Sequence, residues 1–125
     1  MTENEIGNVI VDSALKVHSA FGAGLLESVY EACIERELTK RGLTVARQVP
    51  CSIIYDGDRI ESAFRLDLVV HEKVVIEVEA VETLLPVHTA QVLTYLKLGN
   101  LKLGHLLNFN VVHMKDGIKR VVNNL

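Results

Sequence analysis

Two short apolar runs, Phe64-Arg65-Leu66-Asp67-Leu68-Val69-Val70 and Val74-Val75-Ile76-Glu77-Val78-Glu79-Ala80, are separated by His71-Glu72-Lys73 and carry acids in their middles. Aliphatic and β-branched residues in runs of this length read as half-buried or buried strands. Acidic side chains are depleted in strands, and an unpaired buried carboxylate is costly. Glu77 and Glu79 stand two positions apart, so they share one face of their strand, where like charges repel. Two readings are open. The acids face water on the polar side of an antiparallel hairpin, or Asp67, Glu77 and Glu79 converge, with Glu27 from further upstream, around a positive centre. A divalent cation is the simplest such centre.

The rest of the pattern builds a sheet around those two runs. Val45 to Tyr55 alternates weakly and reads as a strand, with Pro50 marking an edge or a bulge. Asp56-Gly57-Asp58 is a turn signal before the strand from Ile60 to Val70, and Val74 to Glu79 follows after the next turn. The short connections predict a three-stranded antiparallel meander. Upstream, Ile6, Ile10, Ala14, Val17 and Phe21 are spaced for an amphipathic helix over residues 3–21, which Gly22-Ala23-Gly24 breaks. A second helix is expected from about Leu25 to Arg41. Its apolar side carries Leu26, Val29, Tyr30, Cys33, Ile34 and Leu38, and Gly42 stands where a terminating glycine belongs. Downstream, Pro86 suits the first turn of a helix that runs to about Leu98. A strand over Leu103–Asn110 and a short last strand over Ile118–Val122 follow. The long crossover predicts that the 103–110 strand pairs in parallel with the third. The order α-α-β-β-β-α-β-β is an α/β sandwich around a mixed sheet.

Composition narrows the class. A chain of 125 residues has the size of one domain, here 1–125, and a 49% hydrophobic content is enough for a packed core. The net charge of −3 gives no basic tail for non-specific binding to nucleic acid. Cys33 and Cys51 lie in apolar surroundings without metal-type spacing and read as reduced thiols, with a disulfide left open. No signal peptide and no membrane-length apolar run is present, so a soluble, cytoplasmic protein with no membrane partner is expected. His18, His71, His105 and His113 lack ligand-like spacing, which argues against a zinc site. Two basic groups, Arg36, Lys40, Arg41 and Arg47, and then Lys115, Lys119 and Arg120, read by default as solvated surface. Contact with a phosphate backbone is the alternative.

Several blocks carry a resemblance. Gly24-Leu25-Leu26-Glu27-Ser28-Val29-Tyr30 matches the motif that names the GxxExxY protein family. The segments Leu66–Val70, Ile76–Ala80, Leu85–Leu98 and Leu107–Asn110 resemble that family's remaining blocks in order and spacing. The family is assigned to the PD-(D/E)XK nuclease superfamily, so the resemblance implies a restriction-endonuclease-like fold and metal-dependent cleavage of nucleic acid. Carried over position by position, it makes Glu27 the acid of the preceding helix. Asp67 becomes the metal-binding aspartate, Glu77 the acid of the third strand, and the Val78 carbonyl a further metal ligand. Gln91 and Tyr95 become the QxxxY pair of the following helix, although on spacing alone they read as a packing face. The departure is Glu79, which stands where the superfamily has a lysine that stabilises the attacking water and the charge developing on phosphate. Some restriction endonucleases of the superfamily carry glutamate there and remain active.

The chemistry this implies uses Mg²⁺ or Mn²⁺, with Asp67, Glu77 and the Val78 carbonyl on one ion and Glu27 on a second. Glu79 either ligates the second ion or takes a proton from the attacking water. His88, three residues before Gln91, is a surface or structural group by default and a phosphate contact in the alternative. Lys97 and Lys102, toward the end of that helix and just after it, are the candidates to replace the missing lysine from another element. DNA is the expected partner ahead of RNA, and a homodimer would suit double-strand cutting. The competing readings are a catalytically degenerate member of the same fold that binds nucleic acid or protein, and an assembly protein whose acids form ion pairs across a dimer.

Overall fold

A computed structural model describes residues 1–125. Its elements are α1 (Glu3–Phe21), α2 (Glu27–Lys40), β1 (Val45–Tyr55), β2 (Asp58–Val70), β3 (Val74–Glu79), α3 (Pro86–Gly99), β4 (Leu103–Asn108), a 3-10 turn (Met114–Gly117) and β5 (Ile118–Val122). The strands lie side by side in the order β1-β2-β3-β4-β5. β1, β2 and β3 pair antiparallel, β4 joins β3 in parallel through α3, and β5 returns antiparallel. This is the expected meander with a parallel crossover strand. β1 is an edge strand, as Pro50 requires, and the β1–β2 register shifts between Cys51 and Ile53. The fourth strand ends at Asn108, two residues short of the expected end.

The sheet separates two cores. On one face α1 and α2 cover Leu68, Val70, Val74, Ile76, Val78, Leu103 and Leu107, with Ile6, Ile10, Tyr30, Ile34 and Leu38 from the helices. On the other face α3 brings Val92 and Leu96 onto Leu66, Val75, Leu106 and Val121. β3 and β4 are therefore buried on both sides, which accounts for their nearly continuous apolar sequence. Cys33 packs with the first core and Cys51 with the second, so the sheet keeps the two thiols apart and both are free.

The expected apolar faces bury Ile6, Ile10, Ala14, Val17, Tyr30, Ile34 and Leu38 and depart from the sequence reading near the helix ends. Phe21, Leu26 and Val29, expected on apolar faces, are exposed, whereas Glu31 and Glu37 of α2 are buried. α2 begins at Glu27 rather than Leu25, because the chain is still extended at Leu26. Tyr30 explains this start. Its ring stacks on Phe109 with centroids 4.4 Å apart, its hydroxyl donates to the Gly22 carbonyl, and it accepts from the Leu25 N–H at 3.1 Å. One buried phenol thus satisfies both ends of the Gly22–Leu25 connection and sets where α2 can begin.

Replacing Tyr30 with Phe keeps the ring stack and leaves those two backbone groups without their partner. The variant should unfold about 1–3 kcal/mol more easily in urea, with an unchanged slope. A stability equal to that of the unaltered protein would show that the hydroxyl does not hold the connection.

Candidate active site

β2 and β3 pair through only three couples, Leu68 with Ile76, Val69 with Val75 and Val70 with Val74. One step further on the same register stand Asp67 and Glu77, and there side chains take over from the ladder. The Asp67 N–H donates to Glu77 Oε2 at 2.8 Å, and the Val78 N–H donates to Asp67 Oδ2 at 2.9 Å. β2 then leaves in company with β1, while β3 continues beside β4 until Glu79 faces Asn108. The two acids occupy the fork where the strands part.

The ribbon formed by β1 and β2 also turns over at this point. Leu68 packs beneath α1 and α2, yet Leu66, two residues away on the same strand, packs against α3. A regular strand would put both on one face. Across from Asp67, between the pairs Arg47–Leu68 and Val49–Leu66, Gln48 adopts φ +55°, a left-handed backbone unusual outside glycine.

Burial dominates the electrostatics. It raises the Asp67 carboxyl, an effect opposed by the Val78 N–H and the Gln48 side chain and, more weakly, by Arg65 and Arg47. Glu77 is pushed up to about 8, first by burial and then by the Asp67 charge beside it, with Glu79 and Glu31 adding to the effect. Glu79 is raised by burial and next by Glu27, against which His88 acts. Glu27, Asp67, Glu77 and Glu79 take part in no ion pair with lysine or arginine. Glu27 is exposed at the head of α2, and its Oε2 is 3.4 Å from the Ala80 N–H.

The structure brings together Asp67, Glu77 and Glu79, with Glu27 at the edge of Glu79. It does not close them into a cage, because no group of three or more His, Cys, Asp or Glu side chains is arranged to hold a metal. Glu77 Oε1 and the second oxygen of Glu27 accept no hydrogen bond. Hard carboxylate oxygens at a fork, without a protein cation, fit an ion that retains several waters, as Mg²⁺ does, rather than a fully dehydrated one.

Gln91 donates to the Tyr95 hydroxyl, and Tyr95 stacks on Phe64 of β2 with centroids 4.7 Å apart. Neither residue hydrogen-bonds an acid of the fork. Lys97 is in the last turn of α3 and Lys102 just before β4, at the opposite end of those elements from Glu79 and Asn108. Neither therefore occupies the position of the missing lysine. His88 is nearer. Its Nδ1 accepts from the Leu85 N–H at 2.9 Å, and it is the group that works against the upward shift of Glu79.

Three site residues escaped the sequence reading. Glu31 is buried, accepts from Gln48 at 2.6 Å and faces Arg47 at 3.6 Å. It follows Glu27 by four residues, the spacing that puts both on one helix face. Gln48 carried no signal. Asn108, buried at the end of β4, pairs both Val81 backbone groups through its amide, at 3.1 and 3.0 Å, and so holds the chain leaving Glu79. Of the basic group at the end of α2, Arg41 pairs with Asp12 and Glu37 and Arg47 with Glu31 and Glu35, while Arg36 and Lys40 make no ion pair.

The geometry has counterparts among known proteins. The sequence model of the PD-(D/E)XK nuclease superfamily matches residues 4–121. The chain belongs to that superfamily. The crystal structure of SSO0001 superposes with a TM-score of 0.59, covering 96% of this chain and 79% of that one at 15% identity, a likeness of fold alone. No curated protein is significantly similar in sequence.

Glu77 yields a pH prediction. Its carboxyl is raised in the folded state from the usual 4.5 to about 8. In that window the folded chain holds a proton that the unfolded chain has lost. Stability without metal should therefore be greatest at low pH as far as Glu77 is concerned, and should fall as pH rises from about 4.5 through about 8. Glu77→Gln should flatten the decline, as followed by the thermal midpoint in EDTA. A decline of equal slope in the variant would assign it to other groups.

Proposed function

We propose that this protein is a metal-dependent nuclease of the GxxExxY type, hydrolysing phosphodiester bonds in DNA, with RNA as the second substrate class. The observation that carries the reading is the fork at Asp67 and Glu77. Two acids of low exposure face each other there without a protein cation, in a chain of nuclease-superfamily fold. Asp67, Glu77 and the Val78 carbonyl would hold Mg²⁺ or Mn²⁺, with Glu27 available to a second ion. When bound, the metal supplies charge neutralisation on the phosphate and lowers the pKa of a water.

The chain's own residues supply position and proton acceptance. The Val78 N–H fixes one Asp67 oxygen, and the Asp67 N–H fixes one Glu77 oxygen, so the carboxylates are oriented before any ligand arrives. Glu79, raised by burial and by Glu27, is the base for the attacking water, because a carboxyl with a raised pKa accepts a proton more readily near neutral pH.

A second reading has one observation in its favour, the glutamate at the lysine position. In it the protein keeps the fold and binds nucleic acid or another protein without cutting. Labelled single- and double-stranded DNA and RNA, incubated with Mg²⁺, Mn²⁺ or EDTA, separate the two. The nuclease reading expects metal-dependent cutting that Asp67→Ala reduces to background. No cutting by the natural sequence, with activity gained by Glu79→Lys, would establish the degenerate reading.

A further inference from the structure

We propose that the pocket where the start of α1 crosses β4 and β5 is an oxyanion-binding site, with phosphate as the ligand class. Helix and sheet each contribute one wall. Asn4, Gly7 and Asn8 recur at the spacing of one side of α1. Leu103 and His105, two residues apart on β4, share the sheet face beneath that helix, and Arg120 of β5 is the direct ladder partner of His105. The space between the walls is about 170 Å³. That is room for a small oxyanion with water beside it, at about 30 Å³ per water. Glu77 stands between Ile76 and Val78, whose side chains point to this face, and so belongs to the other one. The pocket is therefore separate from the acids of the fork.

His105 carries the proposal. It is 2% exposed, and its Nδ1 is buried without a hydrogen-bond partner. Buried polar atoms of folded chains are nearly all paired. The edge of the ring that bears Cε1 and Nε2 is turned to Gly7, where a Cβ would stand 3.0 Å from Cε1 and 3.6 Å from Nε2. Any larger residue would press on the ring, which accounts for a glycine inside a helix that glycine otherwise weakens. Burial, and after it the charge of Arg120, push the imidazole down to about 4, so it is neutral near pH 7 and has one N–H. A proton on Nδ1 would be a donor sealed from any acceptor, whereas a proton on Nε2 faces the pocket. Arg120 Nη2 donates to Asn4 Oδ1 at 2.6 Å, which holds the guanidinium at the mouth and leaves the Asn4 NH₂ as a further donor. No carboxylate lines the pocket. An imidazole N–H, a guanidinium and an amide NH₂ form a donor set with one positive charge, which suits a phosphate group and offers little to a cation.

The test is an NMR titration of the ¹⁵N-labelled protein with inorganic phosphate near pH 7, followed on the His105 ring and on the Asn4 and Asn8 side-chain amides. EDTA in the buffer keeps metal from the fork, so the response cannot arise there. The three side chains should shift together and saturate. Arg120→Gln and Asn8→Asp, both at exposed positions, should each weaken binding about tenfold or more. Lys119→Gln removes the same charge one residue away, on the opposite face of β5 beside Leu84 and Pro86, and should leave the affinity unchanged. A nucleoside 5′-monophosphate is titrated in parallel. Tighter binding than that of the free ion identifies a nucleotide as the source of the phosphate group, and binding no tighter identifies the free ion. The absence of a saturable shift up to about 10 mM phosphate overturns the proposal, and so does an equal loss of affinity in Lys119→Gln and Arg120→Gln.

Discussion

The parting of β2 from β3 at Asp67 and Glu77 is the constraint on which the rest of the molecule depends. A backbone ladder that stops in the interior leaves donors without acceptors, and a buried orphan N–H costs about as much as a lost hydrogen bond. Here the carboxylates of the two residues at the fork accept from the Asp67 and Val78 N–H groups. The acids are therefore structural before they are chemical. Neither can be replaced by an apolar residue without reopening the ladder, and neither is comfortable as it stands, because the same burial that makes the hydrogen bonds strong raises both carboxyls.

Every element has a part in holding that fork open. The two cores bury β3 and β4 on both faces, so β3 cannot follow β2 outward. The crossover through α3 places β4 in parallel with β3 and brings Asn108 beside Glu79, where its amide closes the loop through Val81. Tyr30 sets the start of α2 and with it the position of Glu27 and of Glu31 one turn later. Tyr95, stacked on Phe64, ties α3 to the departing ribbon. The residues of the motif Gly24–Tyr30 thus divide their work, the tyrosine building and the glutamate facing the site.

Much of this was legible in the sequence. Periodicity located all five strands and three helices, and turn residues predicted the meander, because these signals are local. Asp67, Glu77 and Glu79 stood out since acids are out of place in apolar strands. What local pattern could not give was which polar residues a helix buries and which apolar residues near its ends stay exposed. At the start of α2 the apolar residues Leu26 and Val29 are exposed while Glu31 and Glu37 are buried, because Lys16, Arg47 and Gln48 supply partners from elsewhere in the chain. Gln48 was invisible for the same reason. Its left-handed backbone arises within the β1–β2 pairing and its hydrogen bond to Glu31 from the packing of α2 on β1, and a glutamine between arginine and valine announces neither.

The inverted facing of the β1–β2 ribbon has a mechanical consequence. Sliding one strand past its neighbour by a single residue moves every side chain to the opposite face. In this ribbon Val45, Val70 and Leu68 are gripped by the core beneath α1 and α2, and Val49, Cys51, Phe64 and Leu66 by the core beneath α3. A slip in either direction would expose apolar groups to water at both grips together. The ribbon is thereby locked against sliding like a bolt threaded with opposite hands at its two ends, and Asp67 sits at the one place along it where no slack exists.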